Sequence, residues 1–356
     1  MLRTRILIRL PDRPVADGWG PKASNRSKGA GQLMIAIVLI GLAAGCASAL
    51  MFASIISGAL ISLLLFYLAT LPLMVAALGW GPLAATIGGI VAASGLGAIF
   101  GLPYCIAFAI TVAVPAWWLG HLALLGRPLP SAGSGNGAAP AAPSLEWYPV
   151  GRILLWIAGF AALATIAAML TLGTDAETIT NSLRSGLSRI LGARDAASSG
   201  DIERWVAALA IVAPAAATIV AMMTLTLNLW LAGKIAATSG RLHRPWPDLK
   251  SAELPPMMLA ALCVALALCF IGGLVAMFAQ IATTALMMAY ALTGFAVLHT
   301  VTLALKSRVF WLCCAYAIVM TFGWPVLAMI ALGLADAVFG IRQRYLRGKP
   351  PPLPAS

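Results

Sequence analysis

From about Gly31 to Leu125 the chain contains no Asp, Glu, Lys or Arg. Water-exposed loops of that length do not go without charge, whereas a bilayer requires it. Roughly 20 consecutive apolar residues cross the hydrocarbon core as one helix. Inside lipid the backbone must satisfy its own hydrogen bonds, so helices are the default, and no alternating barrel pattern competes with them. The block is long enough for four spans, with breaks near Ser54, at GWGP (Gly79 to Pro82) and at GLPY (Gly101 to Tyr104). Trp80, Trp117 and Trp118 then fall near membrane interfaces, where aromatic belts form.

The whole chain agrees. It is 61% hydrophobic and 10% charged, against about 25% charged residues in an ordinary soluble domain. This excludes a soluble globular protein, and the net charge of +12 needs no nucleic acid to explain it. All six cysteines (Cys46, Cys105, Cys263, Cys269, Cys313, Cys314) lie in apolar runs without CxxC spacing, as small packing residues do.

One stretch invites another reading. GLAAGCAS, Gly41 to Ser48, resembles the lipobox of a bacterial lipoprotein, with Cys46 as the residue to be lipidated. A lipobox is followed by a polar tether, and here the uncharged block follows instead. Gly41, Gly45, Ala49 and Ala53 recur every fourth residue, the small-xxx-small spacing that lets membrane helices approach closely. The segment is read as a span.

Residues 1–30 form a basic N-terminal segment and residues 31–125 a four-span membrane block. Residues 126–149, rich in Gly, Pro, Ala and Ser, make a flexible linker. A second membrane block covers 150–341. Within it, residues 174–204 bring back charge: Thr174 and Glu177 fit a capping box, and Ile179, Leu183, Leu187 and Ile190 share one helical face. That segment reads either as an amphipathic helix on the membrane surface or as a loop helix packed on the bundle. Residues 233–256 form a second polar loop. Further spans are expected over Val150 to Leu172, Trp205 to Ala232, Met257 to Ala276 and Gln280 to Leu305. The apolar run after Arg308 is broken at FGWPV, where proline interrupts the helical ladder, so it reads as a hairpin of two spans. Residues 342–356 are a basic, Pro-rich tail.

The fold class expected is therefore all-α, a polytopic transmembrane bundle of about ten spans. Nineteen of the 23 Lys and Arg fall on one side of this layout, and only Arg184, Arg189, Arg194 and Arg204 on the other. The positive-inside rule places the nineteen, and both termini, in the cytoplasm.

Polar groups inside spans default to functional hypotheses. Asp336 is the acidic residue of the last apolar run, close enough to Arg342 to pair with it or to snorkel. His299 lies a few turns before Lys306. Asn228 follows Thr224 by one turn, and Gln280, Thr284, Met287 and Gly294 share a face. Asn228, Gln280, Thr284, Asp336 and His299 could together line a polar cavity, or equally form ordinary interhelical hydrogen bonds. No catalytic, metal or cofactor site is expected: no paired carboxylates lie in a span, and HExxH and a phosphate loop are missing from the sequence. Ser94 and Gly95 sit in a glycine-dense packing context.

Three segments carry a family resemblance: LNLWLAGKIAATSGRLHRPWPDLKSAELP, YALTGFAVLHTVTLALKSR and IALGLADAVFGIRQR. In this order they resemble the YybS-like family of bacterial integral membrane proteins (domain of unknown function 2232). That family is distantly similar to the S components of energy-coupling-factor transporters and to the shape-determining protein MreD. The resemblance covers roughly residues 31–344. It implies a bacterial inner-membrane protein whose partners are the bilayer and other membrane subunits. The function implied is a substrate-binding transport subunit energised by its partners, its small-molecule ligand unknown. The alternative is a non-catalytic envelope scaffold of the MreD kind. The chain departs from an S component by its extra spans and its long Pro/Gly insertion.

Overall fold

A computed structural model of the protein describes residues 23–128, 145–191, 200–247 and 253–347. Seven helical segments are long and apolar enough to cross a membrane, with three shorter apolar helices beside them. This is the architecture of a multi-pass helical membrane protein.

The uncharged block forms four crossings, broken where expected. Helix α1 (Ala23–Ala53) runs into a short 3₁₀ turn, Ser54–Ser57, that ends at Gly58 with φ 68°. The second crossing is split into α2 (Leu60–Tyr67) and α3 (Leu71–Trp80). Helix α4 (Pro82–Phe100) follows, and α5 (Leu102–Phe108) continues through a π-turn into α6 (Val114–Leu124). Gly81 and Gly101, at φ 94° and 93°, turn the chain before Pro82 and Leu102. Only glycine adopts that backbone region cheaply, and proline is favoured just inside a helix start.

The small residues of α1 do pack as their spacing predicts. Gly41 lies against the carbonyl of Ala84, and Gly45 against that of Gly88, so α1 and α4 run parallel with their backbones touching. A Cβ at Gly45 would collide with Gly88.

The linker expected at 126–149 begins and ends in short strands. Strands β1 (Gly126–Pro128) and β2 (Leu145–Trp147) pair antiparallel, with Arg127 opposite Glu146. Their ion pair, at 2.7 Å, is exposed. Residues 129–144 lie outside the described residues, as do 1–22, 192–199, 248–252 and 348–356; the first of the last two gaps takes in the middle of the 233–256 loop.

Helix α7 (Val150–Leu170) leads to α8 (Ala176–Ile190). The cap of α8 is Asp175, whose carboxylate accepts the Thr178 N–H at 2.9 Å, rather than Thr174. The better acceptor wins the first free N–H groups of the helix. Ile179 is fully buried with Met169 and Ile281, whereas Ile190 at the other end is 81% exposed. One end of α8 is therefore docked on the bundle and the other projects from it.

Helix α9 (Gly200–Thr238) passes Pro214 without ending, then α10 (Met257–Leu268) and α11 (Gly273–Val301) complete the main bundle. Leu73, Phe108, Leu119, Ile157, Met222 and Ala289 belong to one continuous core.

The end of the chain departs from the ten-span layout. The break at FGWPV is present, between α12 (Arg308–Phe322) and α13 (Val326–Phe339). With 15 and 14 residues, these helices reach only about 22 Å at 1.5 Å per residue, short of roughly 30 Å of hydrocarbon. Helix α10, with 12 residues, is shorter still. Gly294 lies against Met329, and Gly333 against Tyr290, so α13 runs antiparallel to α11. In the expected layout these two would be parallel. The reason is local: Tyr316 stacks on Phe295, ring centroids 5.2 Å apart, and holds α12 at the end of α11. The paired glycines then let α13 fold back along α11. The tail is also not simply a solvated end. Residues Ile341–Arg347 form α14, and Arg342 is 3% exposed.

Candidate functional site

The five polar residues singled out in the sequence do not converge on one cavity. Asn228 is fully buried on α9, and its role follows from Pro72. Proline at that position has no N–H for the Leu68 carbonyl and crowds it, which splits α2 from α3. The Leu71 N–H turns to Leu68 O at 2.9 Å, leaving Tyr67 O without its helical donor. Asn228 Nδ2 donates to that carbonyl at 2.8 Å. A polar side chain on a neighbouring helix thus satisfies the backbone group that a broken membrane helix releases. The Asn228 Oδ1 atom is also buried and has no hydrogen-bond partner among the described residues.

Gln280 is exposed, and Thr284 Oγ1 donates at 2.8 Å to the Gln280 carbonyl of its own helix. The inward face of α11 is instead the one bearing Ile281, Ala285, Ala289 and Ala296. His299 Nε2 lies 2.9 Å from the Tyr316 hydroxyl, and Arg308 Nη2 donates to the His299 carbonyl at 3.3 Å. These contacts fasten α12 to α11.

Asp336 is where the sequence reading and the structure meet most closely. Its Oδ2 accepts from Arg342 Nε at 2.7 Å, and its Oδ1 accepts the Arg342 backbone N–H at 2.8 Å. Their side chains are 7% and 3% exposed. Gly340, at φ 61°, closes α13 in the left-handed conformation and turns α14 back over it. The pair is a latch between two consecutive helices.

That latch forms one wall of a cleft of about 430 Å³ between α11, α13, α14 and the segment that leads into α10, Glu253 to Pro256. Tyr290, Thr293, Arg344 and Glu253 contribute to its lining. Gln343 Nε2 donates to Glu253 Oε1 at 2.9 Å across its rim, and Thr293 Oγ1 donates to Tyr290 O at 2.9 Å. The volume falls within the range of about 300–1,000 Å³ typical of small-molecule sites. Asp336 and Arg342 were visible in the sequence as a pair. Glu253 and Gln343 were not, since each sits in a polar segment and only the fold brings them together.

A second polar feature lies at the end of the bundle that carries the β1–β2 ribbon. Lys234 Nζ sits 4.2 Å from the Trp246 ring centroid, Arg241 is 4.5 Å from that of Trp80, and Arg244 is 6.0 Å from that of Trp147. Arg244 also donates to the carbonyls of Ala123 at 3.2 Å and Tyr148 at 3.0 Å, tying the end of α6 to the start of α7. Burial lowers the pKa of its guanidinium from the usual arginine range.

No protein-family model, curated protein or solved structure matches the chain. The class defined by the fold is a multi-pass helical membrane protein; its function rests on the geometry.

Proposed function

We propose that this is a non-catalytic protein of a bacterial inner membrane that works by assembling with other membrane proteins, as an envelope scaffold of the MreD kind does. The observation that carries this reading is how the buried polar groups are used. Asn228, Thr165, Thr218, Asp336 and Arg342 serve helix breaks, helix contacts and a helix latch. The glycine crossings of α1 with α4 and of α11 with α13 leave backbones in direct contact. Such an interior is built to hold a shape. In this reading the ribbon and the 239–247 segment face the cytoplasm, as the positive-inside rule favours.

A second reading is a transport subunit that binds a small molecule, as S components do, with energy supplied by partner subunits. The cleft beside Asp336, Arg342 and Glu253 favours it. Affinity purification in mild detergent, with mass spectrometry of both proteins and small molecules, separates the two. The scaffold reading expects stoichiometric membrane partners and no retained solute. Recovery of one small molecule, lost when Glu253 and Arg344 are both changed to Ala, would replace it with the transport reading.

A further inference from the structure

The ribbon end of the bundle holds three cations that no carboxylate among the described residues pairs with. Lys234, Arg241 and Arg244 form no ion pair among the described residues; the nearest acidic side chain in the ribbon, Glu146, is taken by Arg127 at 2.7 Å. Arg244 is half-buried, and its hydrogen bonds go to two neutral carbonyls. Carbonyl oxygens satisfy donors but do not cancel a charge, and a partly desolvated cation without a counter-ion is costly. Beside Arg244 lies a cavity of about 330 Å³, walled by Trp147, Pro149, Trp246 and Pro247. Lys234 stands on the Trp246 ring at 4.2 Å.

We infer that this cavity seats the headgroup of an anionic phospholipid. Its phosphodiester would lie between Arg244 and Lys234, and its glycerol backbone against the indole and proline walls. The position argues for a lipid. The cavity opens where the spanning helices α6, α7 and α9 end, at Leu124, Val150 and Thr238. Trp80, Trp147, Trp230 and Trp246 each lie within 6.0 Å of one of these cations, and tryptophan beside Lys or Arg is the combination found among headgroups. The apolar walls suit a molecule whose phosphate carries a hydrocarbon body. The inference needs only that the protein is embedded in a bilayer, so it stands or falls apart from the scaffold and transport readings.

The test uses the full-length protein in a neutral detergent, titrated with phosphatidylglycerol, with phosphatidylcholine and with inorganic phosphate, and read by thermal unfolding. Phosphatidylglycerol should raise the midpoint saturably, and phosphatidylcholine should not. Lys234→Gln, at an exposed position whose side chain bears on no backbone bond, should weaken the apparent affinity about five-fold while lowering the lipid-free midpoint only slightly, through the lost Trp246 contact. Arg244→Gln should weaken it further, although it also lowers the lipid-free midpoint by removing two carbonyl contacts; Lys234→Gln is therefore the deciding variant. Equal shifts by the two lipids would overturn the inference, as would wild-type affinity in Lys234→Gln. A saturable shift by inorganic phosphate alone would reassign the cavity to a free anion and overturn the lipid.

Discussion

Asn228 and Asp336 show how little a polar residue in a span reveals by its identity. Each was a candidate for function, and each closes a gap in the backbone architecture. Asn228→Ala removes the donor to Tyr67 O and leaves a buried carbonyl unpaired, at a cost of about 1–3 kcal/mol. Unfolding of the detergent-solubilised protein should show that loss. Asn228→Asp, which cannot donate when ionised, should fare no better. Asp336→Ala removes the carboxylate paired with the buried Arg342 guanidinium, and breaking a buried pair costs about 3–5 kcal/mol. Replacing Asp336 and Arg342 together with apolar residues should recover much of the stability, because the buried guanidinium then goes with its carboxylate. If Asp336 were a carrier's titrating group, Asp336→Ala would change ion coupling and leave the unfolding midpoint alone. Asp336 with Arg342 was legible because the two are six residues apart. Asn228 with Tyr67, 161 residues apart, was not, since nothing in linear order links a proline-broken helix to its distant donor.

Among the elements, α1 and α8 make the sharpest predictions. Gly45→Val drives a branched side chain into the Gly88 backbone and should destabilise by about 1–3 kcal/mol or more. Leu50→Val, at an exposed position of the same helix, should be near neutral, and thermal midpoints compare the two. In α8 the Asp175 carboxylate has its pKa lowered from the ordinary Asp value, chiefly by its hydrogen bonds to Thr178. A lowered pKa in the folded state means the cap contributes fully above the unfolded Asp value and is lost as pH falls through the folded one. Hydrogen exchange at Thr178 should therefore quicken with acid beyond the intrinsic pH trend. Asp175→Asn, an equally good capping residue, should abolish that excess. The breaks at Gly58, Gly81, Gly101 and Gly323 were readable because glycine and proline mark them directly. The inward face of α11 was not. A helix this rich in Ala and Gly offers almost no hydrophobic contrast between its sides, and the face bearing Gln280 and Thr284 was as good a candidate as the one that is buried.

For the molecule as a whole, the four-crossing N-terminal block and its all-helical character followed from the missing charges alone. The direction of the last apolar helix did not follow, because hydropathy measures apolar length and says nothing of direction. The antiparallel pairing of α13 with α11 depends on Gly294 meeting Gly333, a contact between residues that no periodicity connects. Sidedness is open to direct measurement. With a membrane-impermeant maleimide on intact cells, a cysteine placed at exposed Ser239 should stay unlabelled and one at exposed Ser185 should react. The reverse pattern would invert the proposed orientation.

The β1–β2 ribbon has a practical corollary. Pro128 and Leu145 are direct partners in its register, about 5 Å apart as paired strands are, so whatever joins them departs and returns at nearly one point. A folded reporter with neighbouring termini could be spliced between these two residues without prying the helices apart. The ribbon thus acts as a clasp that fixes where the chain leaves the bundle and where it rejoins it.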